Sequence, residues 1–220
     1  MEEKNQVFNI PIEMYQRFFN PEKKNEIHEL LTNHNKLRSK EELNEINTML
    51  YLACIRGDLE SIEIYLSETI ENETNDMKFK INKTNKTASL FKINNKQIEH
   101  PIIPRTVKHE SDEYLVTSIC WLGEEGKSPS KIKTIKFEEN SSVNTIYQYA
   151  FADSNVEEIY FPMSLTRLNS AWCADLRNLK KFIIPYSNHQ IQFKDDKYLI
   201  GKSDPKNKEF DILLFVRRDI

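Results

Sequence analysis

Between Lys131 and Pro185 the pattern of apolar and polar positions repeats three times. Ile132, Ile135 and Phe137 are followed by Val143, Ile146, Ala150 and Phe151; Val156, Ile159 and Phe161 are followed by Leu165, Leu168, Trp172 and Cys173; Leu179, Phe182 and Ile184 open a third line. Equivalent positions recur after 24 residues (Ile132 to Val156) and then after 23 (Val156 to Leu179). A fixed period in this range marks a solenoid, in which no unit buries its apolar side alone and each must stack on its neighbours. Within a unit, the last two apolar residues of the first group fall at i and i+2, on one face of a short strand. Each unit is therefore a strand followed by a return arc.

Upstream, the period is that of helices. Met14 and Phe18 follow Pro11, a residue suited to a helix's first turn; Ile27, Leu30 and Leu31 fall at i, i+3 and i+4 behind an Asn20 cap; Ser39 to Glu42 reads as a capping box. Leu59, Ile62, Tyr65 and Leu66 line one side of a further helix. The acidic stretch 67–76 reads as a linker or a frayed helix end. From Met77 the period becomes two: Met77, Phe79 and Ile81 alternate with Lys78 and Lys80, and Ala88 and Leu90 resume after a polar turn at Lys83 to Lys86. That predicts a hairpin over 77–93 with its lysines on the wet face. Beyond the repeats, 187–208 reads as an insertion with a short strand at Tyr198 to Gly201 and a Ser203-Asp204-Pro205 turn, before a final strand from Phe210 to Val216. It is expected to project from the solenoid as a hairpin. A solenoid stopped in mid-array exposes an apolar end; either the insertion folds over that end, or the end offers a surface for self-association.

The repeat run resembles the BspA-like leucine-rich repeats, whose units read as apolar-x-x-I-x-I-P, then V-x-x-I, then an A-F pair before a polar turn. "VEEIYFPMSLTRLNSAWC" and "LKKFIIP" carry the likeness: Ala150-Phe151 is the pair, Trp172-Cys173 is a variant of it, and Pro162 and Pro185 hold the proline slot. The likeness extends upstream through Ile102 to Ile119, with Pro104 in that slot, and downstream the insertion is similar to one found in protist members. The resemblance implies that the 77–93 hairpin caps the first repeat. Separately, Thr48 to Leu66 is similar to the helix-turn-helix of an ankyrin repeat, with Ala53 packing inward and Gly57-Asp58 at the turn. It departs from that pattern at Met49 and Tyr51, and a generic helical cap for the solenoid is the alternative. The fold expected is α+β: an ankyrin-like helical module over 1–72, then a leucine-rich-repeat domain over 73–220 with a hairpin cap (77–93) and an insertion (187–208).

Composition narrows the function classes. The net charge is only −3, so no global field points to nucleic acid or to an anionic membrane. Residues 77–98 hold six lysines and no acid, but strand alternation accounts for their placing. No apolar run is long enough to span a membrane, and the acidic N-terminus does not read as a signal peptide. Cys54, Cys120 and Cys173 sit far apart in apolar surroundings, which reads as buried thiols in a reducing, cytoplasmic compartment. Sequons at Asn72, Asn82, Asn85 and Asn140 point the other way, towards the cell surface. Glycine-rich phosphate loops and nucleophile elbows are absent from the sequence, and its histidines lack metal-ligand spacing. Neither catalysis nor a cofactor is expected.

What remains is a surface. Parallel strands stack about 4.8 Å apart, so equivalent positions form columns. One column runs Thr134, Glu158, Lys181; a second runs Lys136, Tyr160, Ile183; a flanking column runs Lys133, Glu157, Lys180. Charges alternate in the flanking column and satisfy one another. Tyr160 beside Ile183, next to a lysine, has the composition of a partner interface. The first two columns are therefore expected to bind a protein partner of unknown identity. The resemblance implies a second reading, a cell-surface adhesin or surface antigen.

Overall fold

The computed structural model describes residues 53, 59–71, 76–95, 97–120, 131–152, 154–195 and 197–216. The chain divides at Glu68/Thr69 into two units. Of the first, Ala53 is helical and buried, and helix α1 (Leu59–Leu66) buries Ile62, Tyr65 and Leu66. The rest of the ankyrin-like pattern, Thr48 to Leu52 and Cys54 to Asp58, lies outside the described residues, as do the predicted elements of 1–47.

Strand β1 (Glu68–Glu71) begins at that division, and the second unit continues with β2 (Met77–Asn82) and β3 (Thr87–Ile93), followed by β4 (Ile102–Ile103), β5 (Thr106–His109) and β6 (Asp112–Ile119). The repeats contribute β7 (Thr134–Phe137), β8 (Thr145–Ile146), β9 (Glu158–Tyr160), β10 (Arg167–Leu168) and β11 (Lys181–Ile183). Last come β12 (Ile191–Lys194), β13 (Tyr198–Gly201) and β14 (Ile212–Val216).

Two parallel ladders build a solenoid of about three turns: β4-β7-β9-β11, and β3-β6-β8-β10. Their inward residues meet in one core, Ile103, Ile135, Ile159 and Phe182 from the first and Leu90, Ile119, Ile146 and Leu168 from the second. The register is the one the period requires, Ile135 opposite Ile159 and Ile159 opposite Phe182. The opening turn breaks the period, because the antiparallel pair β5-β6 is inserted between its arms. Accordingly Ile102 pairs with Lys136, a longer step than either repeat.

In the β4-β7-β9-β11 ladder, proline, lacking an N–H, stops the pairing after three of the four strands. Pro104, Pro162 and Pro185 follow β4, β9 and β11 closely. In the remaining turn the slot holds Glu138, whose Oε2 accepts the backbone N–H of Arg105 at 2.7 Å. The return arcs reverse through left-handed backbone at Tyr149 (φ 60°) and Ala171 (φ 55°), each one residue before the pair, of which Ala150, Phe151 and Trp172 are buried and Cys173 is half-buried. Ala150-Phe151 is small then large and Trp172-Cys173 is large then small, so the inverted sizes fill the space between adjacent turns. The Phe151 and Trp172 rings meet edge to face with centroids 6.0 Å apart.

Three expectations need correction. First, part of the acidic stretch 67–76 is strand β1, on the edge of the hairpin sheet. Second, Lys80 is not on a wet face: it is 3% exposed, its Nζ donates to Thr69 Oγ1 at 2.6 Å and lies 5.0 Å from the Phe91 ring centroid. Alternation reports only the two faces of one strand, and here the second face is covered by neighbouring chain. Third, the insertion does not project. It gains a strand, β12, and forms a three-stranded antiparallel sheet β12-β13-β14. Ile191 and Leu199 of that sheet are in the core, and Phe193 and Phe215 pack on Phe182 at 5.8 and 5.2 Å between centroids. The sheet covers the apolar side of the last strand turn. The hairpin β2-β3 does the corresponding job at the other end, with β3 pairing in parallel with β6.

Candidate functional site

The outward positions of β4, β7, β9 and β11 form the strand face. In the first column Glu158 lies in register with both Thr134 and Lys181. Thr134 is buried at 8% exposure, so it supports the ladder more than it meets solvent. Lys181 is exposed and Glu158 half-buried. In the second column Tyr160 is in register with Ile183, and Lys136 with Ile102. Ile102, 56% exposed, is thus a further member that the repeat period did not reveal, because the inserted hairpin displaces it from the 24-residue spacing.

Tyr160 is held in place from two sides. Its hydroxyl donates to Glu158 Oε2 at 2.9 Å, and the Lys136 Nζ stands 4.9 Å from its ring centroid. The hydrogen bond to the Glu158 carboxylate, with some desolvation, raises the pKa of the phenol. An ammonium over an aromatic face is attracted by the ring quadrupole, so ring and lysine fix one another. The ring is half-buried rather than standing free, and a partner would meet its edge together with Ile183.

The flanking column extends one residue further than the repeats, to Glu99. Lys133 Nζ lies 2.6 Å from Glu99 Oε2, and Lys180 Nζ lies 2.7 Å from Glu157 Oε2. The hydrogen-bonded lysine holds each carboxyl below its ordinary range, Lys133 for Glu99 and Lys180 for Glu157, and Glu99 in return raises Lys133. These pairs are open to water and salt, so they set register more than stability.

A second row was also missed. Met163 and Tyr186 follow Pro162 and Pro185 by one residue, in consecutive turns, and both are exposed, Met163 at 58% and Tyr186 fully. The signal was available in the sequence as two large apolar residues at the same offset from the proline. Outward apolar character therefore gathers on the β9 and β11 turns, where Tyr160, Met163, Ile183 and Tyr186 lie, and thins towards β7.

Burial pushes the Cys173 thiol up to about 12 from an ordinary 9.0. The folded state therefore keeps a proton that the unfolded chain releases, and this contribution to stability is complete below about pH 9 and is lost as pH rises towards 12. Peptide-resolved labelling with iodoacetamide at pH 8 is expected to leave Cys173 unmodified in the folded protein and to modify it in urea. Rapid labelling of Cys173 in the folded chain would contradict the burial. Among the described residues no group of three or more His, Cys, Asp or Glu is arranged to hold a metal ion, and no helix is long and apolar enough to cross a membrane.

The chain is similar in structure to the pneumococcal vaccine antigen PcpA (19% identity over 55% of this chain and 39% of that one, TM-score 0.38). It is also similar to a leucine-rich cell-surface protein of Faecalibacterium prausnitzii (13% identity, 62% of this chain and 59% of that one, TM-score 0.23). A third is a leucine-rich repeat protein of Bacteroides ovatus (15% identity, 50% and 40%, TM-score 0.23). The chain thus spans about two fifths of the length of the first of these. No curated protein matches the chain. Residues 115–195 match the family described as BspA type leucine rich repeat region, in six copies.

Proposed function

We propose that this chain is a non-catalytic protein-binding module whose partner docks on the strand face of the solenoid. The observation that carries the proposal is Tyr160, an aromatic residue fixed between Glu158 and Lys136 and set beside Ile183. An aromatic whose rotamer is already restrained loses little conformational freedom on binding, which is why such residues dominate the energetics of interfaces. Lys136, Glu158 and Lys181 supply polar rim around it, and Ile102 extends the apolar surface along the ladder.

The test is affinity capture from a lysate of the source cell, comparing the native chain with a Tyr160→Asp, Ile183→Asp double variant whose circular dichroism is unchanged. A protein retained by the native chain is expected to be lost, or reduced at least tenfold, by the variant. Equal capture by both would remove the strand face from consideration.

A second reading, a surface-displayed adhesin, is favoured by the positions of three sequons. Asn82 and Asn85 are exposed in the β2-β3 turn and Asn140 is exposed after β7. Asn82 Oδ1 accepts the N–H of Thr84 at 3.0 Å, and Asn85 Oδ1 accepts that of Thr87 at 3.2 Å, so each is in a compact turn open to an incoming enzyme. Intact mass of the native protein before and after glycosidase treatment decides this reading, and an unmodified mass rejects it.

A further inference from the structure

Resting on the docking role of the strand face, we propose that its partner presents an extended acidic segment, with two carboxylates four residues apart and an apolar residue midway between them. By count the strand face is close to neutral, but its charges are not equally available. Glu99 and Glu157, beside the strands, are ion-paired with Lys133 and Lys180, and Glu158 keeps its charge but directs an oxygen to the Tyr160 hydroxyl. Glu138, just beyond β7, accepts the Arg105 N–H. Two exposed lysines are left: among the described residues, no carboxylate lies within ion-pair distance of Lys136 or Lys181. Lys181 has Glu158 as its register neighbour, but that carboxylate is turned towards Tyr160.

The geometry sets the spacing. Lys136 is on β7 and Lys181 on β11, two ladder steps apart and, because Lys181 is level with Glu158 and Thr134, two residues apart along the strands, which is roughly 12 Å. Tyr160 and Ile183 lie between and beside them. An extended chain advances about 3.3 Å per residue with alternate side chains on opposite faces, so carboxylates four residues apart share a face with the residue midway between them and span about that distance. A segment of this kind would set one acid against each lysine and an apolar side chain against the Tyr160-Ile183 pair. Electrostatic complementarity of this sort governs encounter rate and selection against wrong partners, and it weakens with salt.

The experiment is selection of a random peptide display library on the immobilised native chain at low ionic strength, followed by synthesis of the enriched peptides and titration by fluorescence anisotropy. Enriched sequences are expected to carry Asp or Glu at a four-residue separation around a central apolar residue. Their affinity is expected to fall at least tenfold in a Lys136→Glu, Lys181→Glu variant, by less in Lys136→Met, Lys181→Met, and with added salt. All variants are first checked for an unchanged circular dichroism spectrum and melting midpoint. Enriched peptides without acidic bias that are lost on the Tyr160→Asp, Ile183→Asp variant would overturn the acidic partner and leave the docking face standing. Peptides that still bind that variant would overturn both. Absence of any enrichment would also count against the acidic segment.

Discussion

Trp172→Ala is expected to lower stability by about 3–5 kcal/mol, the range for removing a large buried aromatic, and to do so at the end of the solenoid. Trp172 is 2% exposed, and its ring lies 5.8 Å from Phe161, 5.9 Å from Phe182 and 6.2 Å from Phe215, centroid to centroid. Phe215 belongs to β14, so the tryptophan joins two successive turns to the terminal sheet. Truncation leaves a cavity bordered by rings that belong to different elements, which cannot collapse together without moving a ladder. Urea unfolding should show a lowered midpoint, and limited proteolysis should cut first within β12-β14. Trp172→Phe separates packing from polarity: the indole Nε1 is buried without a hydrogen-bond partner, so replacing it removes an unsatisfied donor. Its expected cost is well below that of alanine, because one aromatic ring keeps its contacts and only the volume of the second ring is vacated. An alanine variant with the native midpoint would contradict the role given to the cluster.

Asn188→Ala is expected to cost about 2–4 kcal/mol, because it leaves two or more polar groups buried and unpaired. Asn188 is 7% exposed; its Nδ2 donates to the Leu165 carbonyl of the preceding turn at 2.8 Å, and its Oδ1 accepts the N–H groups of Gln190 and Ile191, both at 2.9 Å. One side chain thus ties a return arc to the start of β12. Asn178→Ala is the matched comparison. Asn178 also makes a cross-turn bond, to Asn155 Oδ1 at 3.1 Å, but it is exposed and water replaces what is lost. That variant is expected to stay within about 0.5 kcal/mol of native. Equal midpoints for the two variants would show that the Asn188 bonds are also replaced by solvent.

Both residues illustrate what could be read in the chain beforehand. Trp172 was legible as core, because it falls in the slot of Ala150 one repeat earlier. Its contact with Phe215 was not, since no period links the two. Asn188 lay inside a stretch that reads as loop by composition, and only the position of the Leu165 carbonyl turns that polar residue into a buried bracket. The candidate site divides in the same way. The columns through Glu158 and Tyr160 follow from the 24- and 23-residue spacing alone, and the register bears them out. That Thr134 is buried, that Lys136 covers the Tyr160 ring and that Glu99 joins the flanking column depend on side-chain packing and on the displaced opening turn.

The amino-acid sequence by itself determined the repeat, the inward and outward sides of β7, β9 and β11, and the hairpin β2-β3. These are consequences of periods between near neighbours, which the pleat of a strand and the stacking of like units make unambiguous. Tertiary structure alone decided which ends of the solenoid are covered and by what: β3 aligning in parallel with β6, and β12-β14 folding back so that Phe193 and Phe215 reach Phe182. It also decided that Lys80 is buried. A lysine's solvation and an apolar end's cover depend on chain brought alongside from elsewhere, and the alternation within one strand carries no record of it.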